Sequence, residues 1–372
     1  MNILEQKIKE KINKEGPIKF AKFMEMSLYE PSLGYYTSEK TYIGKAGDFY
    51  TSQHVHQIFG TMIGRQIEEM WRIMEKPSEF FIIEPGAGMG YLCKDIMDYL
   101  NKRNIIEAFT YLIIEINPSL YEKQKKLLAC FFDKVKWLRS IIEINGLKGC
   151  VVSNELLDSF PVHIIVMEDE LKEIYVGFQD NVFKEIPTAP VDESLINYIN
   201  EFSIDIQKGY RTEINLKIKE WLLALNKAIS EGFIITIDYG YSARDYYSEE
   251  RNRGTLLCYH KHQLSENPYE NIGEQDITAH VNFSSVKKWG EELGFKTLGF
   301  CQQGTYLVSL GIDEMIRELF QQSHDYLFEI AKIKRLILPG TIGETHKVMI
   351  QYKGNKDPSL RGFMLRNQKD IL

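Results

Sequence analysis

The sequence predicts a doubly wound α/β fold, in which helices cover both faces of a mostly parallel sheet. The first indication is a set of four unbroken apolar runs, at 80–83, 111–114, 150–152 and 233–237. An apolar run without alternation indicates a strand that is buried on both faces, as in parallel sheets. The second is the helical spacing of 91–102 and 117–131, which completes a strand–helix alternation.

Residues 1–75 are predicted to form a helical region in front of this sheet. Two helices share 1–28 and are separated by a Gly-Pro pair, and 29–54 is predicted to be an ordered loop. From Val55 onward, apolar residues recur every three or four positions, which predicts an amphipathic helix.

The chain after the third apolar run divides into an insertion and a second core half. Weak alternation with two prolines marks 162–211 as an inserted β-rich element between the core halves 76–161 and 212–372. A long loop at 239–282 interrupts the second half, and loops of that length are usually functional. The other elements expected there are helix 212–230, helix 283–294, strands 295–301 and 305–310, helix 313–335 and strand 346–353.

Composition is that of an ordinary globular protein with room for more than one domain. The chain has 372 residues, of which 44% are hydrophobic and 26% charged, and its formal net charge is -7. These fractions exclude a disordered, collagen-like or coiled-coil chain. The acidic balance argues against a nucleic-acid-binding surface spread over the protein, so we expect no nucleic-acid partner.

The cysteines and the N-terminal residues indicate the cellular compartment in which the protein is expected. The five cysteines form no paired motif, which is typical of buried thiols in a reducing compartment, and neither a disulfide framework nor a metal site is expected. No apolar run is long enough to cross a membrane. Three glutamates lie among the lysines of 1–16, unlike a transit or signal peptide. We therefore expect a cytoplasmic protein.

A glycine-rich turn follows the first apolar run and is the strongest local signal. It reads Glu84-Pro85-Gly86-Ala87-Gly88-Met89-Gly90 and leads into a predicted helix. Glycines allow a sharp turn and the close approach of a ligand to the backbone. A dinucleotide site prefers a third glycine one residue later. The acidic residue that opens the turn suits a cationic ligand such as S-adenosylmethionine, although NAD and a turn without ligand remain alternatives.

Polar residues also follow the other three runs, at the edge where open α/β sheets bind ligands. Glu115 follows the second run, where a carboxylate can accept both hydroxyls of a ribose, unless it is only a surface charge. The third run leads to Asn154, Glu155 and Asp158, and the fourth to Asp238. These groups either bind the molecule that accepts the methyl group or simply cap a turn, and both interpretations stay open. His280 is more simply a structural histidine.

Eight blocks spread over nearly the whole chain share their order and pattern with a known family. They are GPIKFAKFMEMSLYEPSLGYY (16–36), GDFYTS (47–52), EPGAGMG (84–90), SNELLDSFPV (153–162), TIDYGY (236–241), GTLLCYHKH (254–262), GEQDITAHVNF (273–283) and QQGTYLVSLGI (302–312). They resemble the MidA-type methyltransferases, which include the mitochondrial complex I assembly factor that methylates an arginine. The resemblance implies a class I, Rossmann-like fold that uses S-adenosylmethionine, with a seven-stranded sheet, a helical N-terminal region and an inserted β element.

The resemblance also implies which residues bind the cofactor. The family's cofactor loop falls on Gly86, Gly88 and Gly90 with Glu84 before it, and its ribose carboxylate falls on Glu115. A further block would lie over the cofactor pocket as a lid and comprises Asp48, Phe49, Thr51 and Ser52.

On the acceptor side, the family's motif matches Asn154, Glu155 and Asp158. Two departures concern partner and substrate: Gln53-His54 stands where members often have proline, and Ile342-Gly343-Glu344 where they usually have Met-Gly-Glu.

The reaction implied is direct in-line methyl transfer to a protein arginine, with Glu155, Asp158 and Asp238 as candidates to grip the guanidinium. The insertion 162–211 and the loop 239–282 are expected to form the acceptor surface. Two other classes stay open, a NAD-type oxidoreductase and an assembly protein that has kept the fold without catalysis. Self-association also stays open.

Overall fold

The computed structural model describes residues 2–39, 52–189, 191–320 and 325–372. The N-terminal region is helical, as expected, and consists of α1 (Ile3–Glu15), β1 (Ile18–Lys19), α2 (Phe20–Tyr29), α3 (Ser52–Val55) and α4 (Ile58–Ile73). Asn2 caps α1 in a capping box: its side chain accepts a hydrogen bond from the backbone N–H of Glu5, and the Glu5 carboxylate accepts one from the backbone N–H of Asn2.

The first core half alternates strands and helices as the apolar runs predict. Its elements are β2 (Phe80–Pro85), α5 (Tyr91–Lys102), β3 (Phe109–Ile114), α6 (Pro118–Leu127), β4 (Val135–Leu138) and β5 (Leu147–Asn154). Asn117 caps α6, and Pro118 occupies its first turn, where no N–H partner is lost. Strand β4 was not expected, because its four residues include the polar Lys136 and give no apolar run.

The insertion is rich in strands, as its weak alternation predicts. It contributes β6 (His163–Met167), β7 (Leu171–Gln179), β8 (Val182–Thr188), α7 (Glu193–Glu201) and β9 (Arg211–Ile214). These strands form a separate sheet in the order β1-β7-β6-β9, with β8 paired to β7. Because β1 pairs with β7 at Ile18 and Val176, the N-terminal region and the insertion share one hydrophobic core.

The second core half contains more regular structure than expected. Its elements are α8 (Lys217–Ala228), β10 (Ile229–Tyr241), α9 (Ala243–Tyr246), β11 (Leu257–His260), β12 (Gln263–Ser265), β13 (Asp276–Thr278), β14 (Val281–Asn282), α10 (Phe283–Glu292), β15 (Lys296–Gln302), α11 (Gln303–Ser309), α12 (Ile312–Phe320), α13 (Tyr326–Ile337), α14 (Ile342–Thr345) and β16 (His346–Lys353). Among the described residues, no helix has the length and apolar character needed to cross a membrane.

Three expectations for this half are wrong. The predicted strand 305–310 lies in helix α11, because a short apolar run fits a buried helix face as well as a strand. The predicted helix 313–335 is two separate helices, α12 and α13. The predicted loop 239–282 contains a small sheet, β12-β11-β13. The pairing of its short strands could not be predicted from the local sequence pattern.

The main sheet brings the predicted site residues to one edge. Its order is β15-β16-β10-β5-β2-β3-β4, all parallel except β16, and the two-residue β14 pairs with the end of β10. That short strand makes eight strands among the described residues rather than the seven expected. The carboxyl ends of β2, β3, β5 and β10 meet at the same edge, with Asn154 beside Ile237 in register.

Candidate active site

The glycine turn is a backbone conformation that favours glycine at three positions. Gly86, Gly88 and Gly90 have φ angles of 68°, 55° and 84°, and Gly90 is the N-cap of α5. Positive φ is readily adopted only by glycine. A Cβ at Gly90 would lie 3.3 Å from Cγ of Gln124, so a side chain there would need that glutamine to shift. The N–H groups of Gly86 and Gly90 donate to the carbonyls of Ile114 and Ala87, which holds the turn against the end of the sheet.

A cavity of about 220 Å³ lies against this turn. The N-terminal region closes one side with two tyrosines, Tyr29 and Tyr36, whose rings stack at 5.5 Å between centroids. The remaining lining comes from Pro85, Gly86, Gly88, Ile114, Glu115, Ile116, Leu120, Asn154, Glu155, Leu156 and Ser159. The two tyrosines were missed as site residues, although they lie within the first block of the family resemblance, and the sequence gives no sign that this block reaches the glycine turn.

Glu115 is held in position at the cavity by two hydrogen bonds. The backbone N–H of Asn117 donates to Oε1 at 2.7 Å, and Nε2 of Gln124 donates to Oε2 at 2.9 Å. Gln124 also donates to the carbonyl of Gly88 and accepts from the indole of Trp137. Burial raises the pKa of Glu115, and these donors lower it in part. The site thus contains a fixed carboxylate, as a ribose ligand requires.

Glu84 occupies a different place from the one expected of a group that faces a cationic ligand. Its side chain is 3% exposed, does not line the cavity, and accepts a hydrogen bond from the hydroxyl of Tyr111 at 2.7 Å. Burial raises the pKa of Glu84 to about 7, and the Tyr111 hydroxyl opposes this. Because the residue is still within the strand, its side chain points into the core below the turn rather than out of the sheet edge.

Asn154 lines the cavity with an amide that has no partner. Both its Nδ2 and its Oδ1 are buried without a hydrogen bond among the described residues. Leaving a buried donor and acceptor unpaired costs about 1–3 kcal/mol each, so such groups usually meet a ligand or water. Asn154 is therefore suited to a ligand that both donates and accepts hydrogen bonds.

Glu155 lies between this cavity and a second one. Its φ of 51° turns the chain sharply after β5, and the residue lines both cavities with a side chain that is 3% exposed. The second cavity has a volume of about 370 Å³ and is otherwise lined by Tyr239, Gly240, Tyr241, Tyr259, His280, Thr345 and His346. Nε2 of His346 lies 3.3 Å from Oε1 of Glu155. A carboxylate among aromatic rings is a suitable environment for a cationic side chain.

The other two predicted acceptor carboxylates line neither cavity. Asp238 is fully buried, and its Oδ2 accepts from the backbone N–H groups of Leu156, Leu157 and Asp158 at 3.0–3.3 Å. Asp158 is 2% exposed and accepts a hydrogen bond from the hydroxyl of Tyr239. Burial raises the pKa of Asp158 to about 7 and raises that of Asp238. Asp238 therefore holds the turn after Glu155. Asp158 links that turn to Tyr239, and its Oδ1 is buried without a hydrogen bond among the described residues.

The predicted lid lies mostly outside the described residues. Asp48, Phe49 and Thr51 are among the positions not described, so their predicted contact with the cofactor stays a prediction. Ser52 is described: it is fully buried, its hydroxyl donates to Oε1 of Gln303 at 3.0 Å, and it lines neither cavity.

His280 lines the second cavity, where it lies beside the rings of Tyr239 and Tyr241. Burial lowers the pKa of His280 to about 4, so its ring is neutral near pH 7. Its Nδ1 is buried without a partner among the described side chains and backbone. The sequence favoured a structural histidine, and the cavity lining gives this residue a place in the site that its local pattern did not indicate.

A parallel α/β sheet with a glycine turn after its first core strand and a fixed carboxylate after the next defines a class of enzymes that bind a nucleoside cofactor at the sheet edge. The chain belongs to a family of S-adenosyl-L-methionine-dependent methyltransferases, whose model matches residues 62–301. This finding confirms the resemblance seen in the sequence and sets the NAD alternative aside.

Among its relatives, the chain is similar to the mitochondrial protein arginine methyltransferase NDUFAF7 homolog of Drosophila melanogaster, at 25% identity over 94% of this chain and 85% of that protein. It is also similar to mitochondrial protein arginine methyltransferase NDUFAF7 of Homo sapiens, at 25% identity over 85% and 75% of the two chains. A Burkholderia thailandensis protein crystallised with S-adenosyl-homocysteine superposes with a TM-score of 0.92, at 25% identity over 99% of this chain and 96% of that one.

The cofactor is therefore S-adenosylmethionine, as expected, and the residues present fit it. The open glycine turn can receive a backbone contact, Glu115 can receive ribose hydroxyls, and the unpaired Asn154 amide can pair with an amino or carboxylate group. The cytoplasmic expectation is wrong, because the relatives are named mitochondrial. It rested on the charge pattern of 1–16, and a local charge pattern does not determine where a folded protein works.

Proposed function

We propose that this chain transfers a methyl group from S-adenosylmethionine to an arginine side chain of a protein. The observation that carries the proposal is the position of Glu155, which lines both the cavity at the glycine turn and the aromatic cavity next to it. A group in this position can hold an acceptor nitrogen against a methyl donor in the first cavity. The names of the relatives, which are protein arginine methyltransferases, support the choice of acceptor.

The second cavity fits a guanidinium in both charge and shape. An arginine stays protonated below a pH of about 12, so its site needs a negative group and tolerates flat, electron-rich neighbours. The Glu155 carboxylate meets the first need, and the rings of Tyr239 and Tyr241 meet the second through cation–π contact. Neutral His280 adds no competing positive charge.

The bound cofactor supplies an activated methyl group on a sulfonium. What the protein contributes is alignment of the acceptor nitrogen and exclusion of water, which together account for much of the rate in such transfers. We assign cofactor contact to Gly86, Gly88, Glu115 and Asn154, and acceptor contact to Glu155. We assign Asp158 and Asp238 to positioning, because Asp238 accepts from backbone N–H groups of the turn, Asp158 accepts from the Tyr239 hydroxyl, and neither residue lines a cavity.

Titration calorimetry and methyl labelling test the proposal in two steps. We expect S-adenosylhomocysteine to bind and NAD not to bind. With tritiated donor and a cell extract, we expect label in a protein band that yields methylarginine on acid hydrolysis. Label in lysine would contradict the arginine acceptor, and binding without any labelling would favour the assembly protein.

The Glu155→Gln variant tests the residue that carries the proposal. It should bind S-adenosylhomocysteine like the wild type and lose methyl transfer by on the order of 100-fold, the usual loss when a positioned charged group is removed. The matched control is Glu173→Gln, because Glu173 also lies beside a histidine, His163, but in the second sheet. Equal activity in Glu155→Gln would contradict the proposed site.

A further inference from the structure

We propose that His346 works with Glu155 as a relay for the proton that methylation releases, with Thr345 fixing the tautomer of the imidazole. The proposal rests on the methyl transfer described above and adds the path of the proton. His346 begins β16, far along the chain from Glu155, and both residues line the second cavity.

The two groups face each other without a completed hydrogen bond. Nε2 of His346 lies 3.3 Å from Oε1 of Glu155, yet both atoms are buried and neither has a hydrogen bond to any described residue. His346 is 8% exposed, so bulk water has little access to the contact. A buried pair at this distance without a hydrogen bond is unusual, because buried polar atoms are nearly always paired.

Thr345 lies against the other ring nitrogen of His346 and supports the proposed tautomer. Its Oγ1 lies 3.1 Å from Nδ1 of His346, and the same hydroxyl is placed to donate to the carbonyl of Thr341 at 3.5 Å. With its proton directed to Thr341, the hydroxyl accepts from the ring, so Nδ1 carries the hydrogen. Nε2 then presents a lone pair to the Glu155 carboxylate, and two acceptors face each other. One proton added between them completes the hydrogen bond.

The reaction supplies that proton. As the acceptor nitrogen forms its bond to the methyl carbon, the carbon–sulfur bond breaks and its electron pair stays on sulfur. The nitrogen, now with one bond more, must release one proton to restore a methylguanidinium of the same charge as the substrate. Glu155 touches that nitrogen and accepts the proton, which is then shared with Nε2 of His346. The imidazolium gives it up to solvent when the cavity opens for product release.

The surroundings of His346 carry both signs of charge. Glu155 and Asp158 face it as acids, His280 approaches as a second, neutral histidine, and the ring of Tyr239 lies 5.5 Å away. On its own strand, the Lys347 ammonium donates to the carbonyls of Glu344 and Thr345 rather than to the cavity. The cavity side of the ring therefore faces carboxyl groups, whereas the Lys347 ammonium is directed to backbone carbonyls.

A pH profile separates this relay from a merely structural histidine. The His346→Gln variant should bind S-adenosylhomocysteine with unchanged affinity, lose on the order of tenfold or more in methyl transfer, and differ from the wild type in the pH profile of the rate. In His346→Ala, added imidazole should restore part of the rate. The control His163→Gln removes another histidine that lies beside a carboxylate and should leave the rate and the profile unchanged.

A second readout needs no turnover. Nuclear magnetic resonance spectra of the histidine rings, with the His346 signal assigned by its loss in His346→Gln, should show that signal displaced in Glu155→Gln and unmoved in Glu173→Gln. An undisplaced signal in Glu155→Gln, or an active His346→Gln variant with the wild-type pH profile, would overturn the relay alone. A wild type that binds cofactor but methylates no arginine would overturn the proposed function and the relay with it.

Discussion

The carboxyl group of Asp238 accepts a hydrogen bond from the backbone N–H of Leu157 at 3.0 Å, and two neighbouring N–H groups share the same oxygen. Asp238 lies near the carboxyl end of strand β10, and Leu157 belongs to the turn that follows strand β5. Because Glu155 stands at the start of that turn, this contact sets where the proposed acceptor ligand lies. A residue predicted to grip the acceptor thus positions the group that we propose for that role.

Replacing Asp238 should destabilise the fold. Asp238→Ala leaves several buried N–H groups without an acceptor, and we expect the free energy of unfolding to fall by about 3 kcal/mol, as measured by urea denaturation. Asp238→Asn retains one oxygen for these donors and should lose roughly half as much. Equal, small losses in both variants would show that the turn is held by other contacts.

The glycine turn should be intolerant of side chains at the cavity. Gly88→Val places a branched side chain at a φ of 55° and into the cavity lining, so we expect binding of S-adenosylhomocysteine to be lost in calorimetry. The control is Gly146→Val, where φ is 67° and a Cβ meets nothing within 4 Å. The control carries similar backbone strain but should bind normally. Normal binding by Gly88→Val would contradict the placement of the cofactor.

Gln124 should control cofactor affinity without contacting the acceptor. Gln124→Leu removes the donors to Glu115 and to the carbonyl of Gly88, so the carboxylate loses its fixed orientation. We expect the affinity for S-adenosylhomocysteine to fall about tenfold, which corresponds to about 1.4 kcal/mol. Gln351→Leu, a change of another buried glutamine that lies in β16, is the control and should leave affinity unchanged. Equal affinities in the two variants would count against Glu115 as a ligand.

Stability should fall as the pH rises toward neutrality. Burial raises the pKa of Glu84 from 4.5 to about 7, so between these values the folded state holds a proton that the unfolded state has released. Stability then decreases with pH across this window, by roughly 3 kcal/mol for a shift of this size. Denaturation curves from pH 4.5 to 7.5 should show the slope, and Glu84→Gln should reduce it.

Tyr111→Phe serves as the complementary variant for this slope. It removes the hydrogen bond that favours the charged carboxylate, so the pKa of Glu84 should rise further and the window should extend to higher pH. If Glu84→Gln shows the same slope as the wild type, another buried acid, such as Asp95 with its pKa of about 7, is its source.

Local patterns were sufficient for the four core strands that carry an unbroken apolar run and for the polar residues near their ends. The apolar runs at 80–83 and 233–237 lie within β2 and β10. A strand that is buried on both faces requires consecutive apolar residues, and these are visible in the sequence. The glycine turn is equally local, since positive φ selects the residue type. The run at 305–310 shows the limit of such signals, because the same apolar residues were equally compatible with a strand and with the helix α11 that they form.

The sequence by itself determined the parallel core, the glycine turn, the carboxylates at the strand ends and, through blocks shared with a family, the cofactor. Only the tertiary structure decided which of those residues lies at the cavities. Asp158 and Asp238 accept hydrogen bonds from other segments and line neither cavity, whereas Glu155 lines two cavities and lies beside the ring of His346. The reason is physical: a strand or turn depends on neighbouring residues, but the partners of a buried charge depend on which distant segments pack against it.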